Sequence, residues 1–85
     1  MPVSELSALE RIARVLAGQR LSSNAKGADL SAGEEVDARW PEFRDDALAV
    51  LKTLREPDHT MAEVGDASMW RRMVDAALVE SDGES

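Results

Sequence analysis

The single histidine of this chain, His59, lies four residues before Glu63, a spacing that places both on one face of a helix, with Asp58 and Asp66 close by. Two such groups are the beginning of a metal site. Stable transition-metal sites take three or four ligands, and a chain with no cysteine and no second histidine has little to complete one with. An exposed histidine in a turn after Pro57 is the simpler reading, and no metal or cofactor is expected. The run from Asp29 to Asp37 is rich in oxygen ligands and invites comparison with a calcium loop. With Asp29 at position one, Glu34 stands where that loop requires glycine and Trp40 where it requires a bidentate glutamate. Ser31 and Glu34 fit a capped helix start instead.

Other chemistry is equally thin. Nucleophilic catalysis needs an activated Ser or Thr beside a base, and nothing here resembles a GxSxG elbow. Gly27 and Gly33 are followed by neither Lys-Ser nor Lys-Thr, so no phosphate loop is present. Asp45 and Asp46 are adjacent and point about 100 degrees apart on a helix, which suits first-turn dipole partners better than an acid/base pair. The chain reads as a non-enzyme. For nucleic acid it offers one compact basic pair, Arg71 and Arg72 beside Trp70, with Asp75 near enough for local ion pairs.

The charge distribution sharpens this exclusion. The net charge is −7, yet residues 1–30 carry four basic against three acidic residues and residues 31–85 carry six against fourteen, a balance of −8. Such a surface repels phosphate backbones and anionic headgroups, so direct nucleic-acid and membrane binding are both disfavoured. No apolar run approaches the length of a membrane span, and the start MPVSELSALE lacks the basic and apolar regions of a signal peptide. The cytoplasm is the expected location.

What remains is an adaptable apolar set of the sort used at partner surfaces: Met61, Met69, Met73, Trp40 and Trp70. With Arg71 and Arg72 they form the candidate interface. The competing reading is that they are core, which a chain of 85 residues needs. Trp70 and Met73 are the residues best placed to serve both purposes.

The elements that position these groups read as all-α, a small bundle of three main helices plus two short helical turns, with no alternating strand pattern. Residues 1–80 form one helical domain, followed by an acidic tail, 81–85, expected to be disordered. The first helix has two possible starts, Ser4 or the capping box Ser7 with Glu10. Its buried stripe is Leu6, Leu9, Ile12, Ala13 and Leu16, and Gly18 is a natural stop, although Leu21 could extend it. SSNAKGA, residues 22–28, reads as a mobile loop. A short helix from Ser31 through Val36 ends near Trp40, because Pro41 disfavours helical geometry at the residue before it. Pro41 then opens a helix to Arg55, with Phe43, Ala47, Val50, Leu51 and Leu54 as its apolar stripe and Pro57 as its stop. A short turn of helix from Asp58 or Thr60 to Val64 follows, with Thr60 and Glu63 as a possible capping box and Gly65 as breaker. The last helix starts at Asp66 or Ala67 and buries Trp70, Met73, Val74 and Ala77 along one stripe.

The segments LERIARVLAG at 9–18, WPEFRDDALAVLKTLREP at 40–57, Met61 with Gly65, and WRRMVDAAL at 70–78 together give a pattern. It resembles a group of short uncharacterised proteins met in alphaproteobacteria and some of their phages, often with a longer insertion between the Gly65 and Trp70 positions. The group has no established activity, so the resemblance implies no functional residue. These readings predict an interaction or regulatory module acting as a homodimer, the staple left to a small domain without disulfides. The alternative is an acidic decoy or adaptor that covers a basic surface of a nucleic-acid-binding protein.

Overall fold

The computed structural model describes residues 3–25 and 32–83. They form an all-α bundle in the order α1 (Ala8–Ala25), α2 (Ala32–Arg39), a 3₁₀ turn (Trp40–Phe43), α3 (Arg44–Leu54), α4 (His59–Val64) and α5 (Ala67–Gly83). No strand occurs among the described residues.

Helix α1 starts at the later of its two possible caps. Ser7 Oγ accepts the Glu10 N–H at 3.1 Å, while Ser4 Oγ accepts the Leu6 N–H in a turn upstream. Only half of the capping box forms, because the Glu10 carboxylate takes the Arg14 Nε–H at 2.8 Å instead of reaching back. The helix does not stop at Gly18. It continues to Ala25, taking in residues 22–25 of the expected loop, while residues 26–30 lie outside the described residues. Burial explains the difference: Leu9, Ala13, Ala17 and Leu21 are all buried at four-residue spacing, so a turn beyond Gly18 is anchored by Leu21. That contribution outweighs the roughly 1 kcal/mol a helical glycine costs.

The same row shows that the buried stripe is rotated from the expected one. Leu6 is exposed, Ile12 and Leu16 are half-buried, and the centre of the α1 face is Leu9, Ala13 and Ala17. Opposite them stand Ala47 and Leu51 of α3, and Leu9, Ala13, Ala47 and Leu51 make the core. Alanines at the centre let the two backbones approach closely, which large residues there would prevent.

Between α2 and α3 the chain tightens. Proline at position 41 restricts Trp40, and the turn it opens is 3₁₀, with α-helical geometry resuming only at Arg44. In a 3₁₀ turn side chains three apart eclipse, so Trp40 and Phe43 both pack on the core. Arg14 lies over the Trp40 ring, its Cζ 5.8 Å from the centroid. Hydrogen bonds to Asp37 and then to Glu10 hold its guanidinium above the ordinary arginine range, so it stays charged there. Ser31, the expected cap of α2, lies outside the described residues.

Two aspartates start the last two helices in the same way. Asp58 accepts the Met61 N–H at 2.9 Å and Asp66 accepts the Met69 N–H at 3.1 Å. Of the two expected starts of α4, Asp58 rather than Thr60 is the cap, and its charge also favours the positive end of the helix. Gly65 ends α4 in extended rather than left-handed geometry, its N–H on the Met61 carbonyl. Helix α5 runs to Gly83, so 81–83 continue it instead of forming a separate tail, and 84–85 lie outside the described residues.

Candidate functional site

The end of α3 and the start of α5 are joined by polar contacts rather than by a dry core. Trp70 Nε1–H donates to the Leu54 carbonyl at 2.7 Å, satisfying one of the acceptors that a helix C-terminus leaves open. Arg55 pairs with Asp75 at 2.8 Å, and Arg71 lies 3.9 Å from Glu56. Asp75 thus serves α3, across the helix pair, and not the neighbouring Arg71 and Arg72 as its spacing suggested. Val74, 6% exposed, is the buried anchor of α5, with Ala77 and Leu78 half-buried further along.

Held this way, α5 covers α3 but leaves a groove of about 660 Å³ against α1. Its walls are Ile12, Val15 and Leu16 of α1, Val50 and Leu54 of α3, and Trp70, Met73 and Ala77 of α5. A second groove of about 370 Å³ opens on the other side of Trp70 and Met73, between Pro57, Met61, Val64 and Met69. Trp70 and Met73 line both grooves and form the ridge between them. The face is apolar at its most exposed points: Met73 is 62% exposed, Val15 61% and Val64 88%. Contiguous exposure of this kind marks binding surfaces more often than the scattered single residues every protein shows.

The structure brings together four of the seven residues singled out from the sequence, Met61, Met69, Trp70 and Met73. Met73 does not join Val74 in the interior as the stripe predicted; it faces solvent. Arg71 and Arg72 are exposed beside this face and line neither groove. Trp40 is elsewhere, packed on the α1–α3 core under Arg14, and belongs to the interior reading of the tryptophans. Val15, Val50, Leu54 and Val64 complete the face and were not picked out as candidates. A signal for them exists: the apolar residues of α1, from Leu9 through Ile12, Ala13, Val15 and Leu16, span a wider arc than one neighbour can cover.

The side chains considered for metal binding have other work. The carboxylates of Asp58 and Asp66 cap helices, and His59 and Glu63 are exposed on the short α4. Among the described residues no three His, Asp or Glu side chains group so as to hold a metal ion, and no helix is long and apolar enough to cross a membrane. The two grooves offer a ligand apolar walls with one charge each, Arg11 on the larger and Asp66 on the smaller. Such walls suit binding by shape and burial. The chain matches no family model, no curated protein and no solved structure.

Proposed function

We propose that the chain is a non-enzymatic, cytoplasmic helical module that works by docking a protein chain on its α1–α3–α5 face. The observation that carries this reading is Met73: a flexible apolar side chain, 62% exposed, on the ridge between two apolar grooves. Unbranched thioethers repack against varied surfaces, and a rigid tryptophan beside them supplies the large contact area typical of binding hot spots. The ridge is already organised without a partner, because the hydrogen bond from Trp70 to Leu54 fixes the ring.

Met73→Glu tests it. In protein at submicromolar concentration the variant should melt within about 2 °C of the parent, as surface substitutions do, and lose the fluorescence of an added hydrophobic dye. A fall of more than about 5 °C would make Met73 part of the interior and contradict the proposal.

A further inference from the structure

We infer that the occupant of this face is a second copy of the chain, related by a two-fold axis that passes beside Met73. The inference rests on the docking reading above and names the partner.

Area is the first argument. Val15, Val50, Leu54, Val64, Met69 and Met73 are all exposed, on four helices that meet at this face. A two-fold pair covers all of them on both protomers at once.

Self-complementarity is the second. A two-fold interface places residue i of one protomer on residue j of its partner and j on i. The two grooves share one ridge, so a two-fold axis at Met73 lays the smaller groove of each protomer on the larger groove of the other. The protruding α4 edge, with Met61 and Val64, then fills the opening beside Val15. Charge agrees with this pairing: among the described lining residues the larger groove carries a single cation, Arg11, and the smaller a single anion, Asp66. The rotation lays the groove that holds Arg11 on the partner's groove that holds Asp66, so the two charges that face each other are opposite. A helix-capping carboxylate keeps a free oxygen for that contact.

The absence of cysteine makes the geometry directly readable. Single-cysteine variants Met73→Cys, Arg11→Cys and Ala67→Cys are prepared, with Ala38→Cys, exposed on α2 and lining neither groove, as control. Ala67 lines the smaller groove beside Asp66 and leaves the cap intact. Light scattering at tens of micromolar should give twice the 9.3 kDa of one chain. Under mild oxidation Met73→Cys should cross-link to itself, and Arg11→Cys should cross-link to Ala67→Cys about tenfold faster than either does alone or than the control, since a disulfide requires Cα atoms within about 7 Å. A dimer in which Arg11→Cys pairs with itself, or in which the Ala38→Cys control reacts as fast as Met73→Cys, overturns the two-fold geometry. A monomer at tens of micromolar overturns the second-copy occupant. Neither outcome touches the docking reading, which falls if Met73→Glu lowers the melting temperature by more than about 5 °C.

Discussion

The two tryptophans divide the molecule into a half that is finished and a half that is open. Trp40 packs with Phe43 on a core whose centre is alanine on both sides, Ala13 and Ala47, both fully buried. Trp70 sits where α3 and α5 meet through a hydrogen bond and two ion pairs, with Met73 projecting beyond it. Close packing needs small residues at the point of contact, and α1 and α3 have them there. At its outer edge α5 presents Met69, Trp70 and Met73, and the space it leaves is the pair of grooves. One residue type thus serves as interior filling in one region and as an exposed ridge in the other.

The widest expected separation between the halves is in stability. Leu9 is the largest fully buried side chain, and Leu9→Ala should cost about 2–5 kcal/mol by urea denaturation. Met73→Ala, measured at submicromolar protein, should change stability by less than about 0.5 kcal/mol. Similar costs at both sites would erase the contrast. Trp70→Phe keeps a ring and removes the donor to the Leu54 carbonyl, and it should cost about 1 kcal/mol in the same assay. No change would mean that the ring is held by packing alone.

Gly18→Ala probes the finished half from the other direction. An added Cβ would stand 3.8 Å from Val36 Cγ2, ordinary contact, so the gain in helix propensity should raise stability by about 0.5–1 kcal/mol. A loss would mean that α1 and α2 cannot accept even a methyl group there. The smallest effect is expected at the seam of the open half. Arg55 and Asp75 are about half exposed, so a double-mutant cycle of Arg55→Gln and Asp75→Asn should give a coupling of a few tenths of a kcal/mol that fades in high salt.

The all-α class, the three main helices, the capping box at Ser7 as one of two starts of α1, and a start of α5 at Asp66 or Ala67 were legible in the sequence, because capping and apolar periodicity are local. The helix through Gly18 was not, since it depends on Leu21 finding a buried place that only the fold supplies. Asp58 and Thr60 were both open as the start of α4, and the choice of Asp58 turned on two residues of register beside Pro57, which local pattern does not decide. Four of the seven candidate interface residues gather on one face, whereas Trp40 had the right chemistry and the wrong neighbourhood. Val15, Leu54 and Val64 were missed for the converse reason: each lies on a different helix, and the period of one helix, even where it includes Leu54, does not say which residues of other helices share a face with it.

Association through the Trp70–Met73 ridge is the central claim, and the emission of Trp70 reads it most directly. In a Trp40→Phe variant, shown to be helical by circular dichroism, Trp70 is the only tryptophan. Dilution from tens of micromolar to tens of nanomolar should shift its emission to the red as the face is uncovered. Emission that stays constant over that range would contradict the claim.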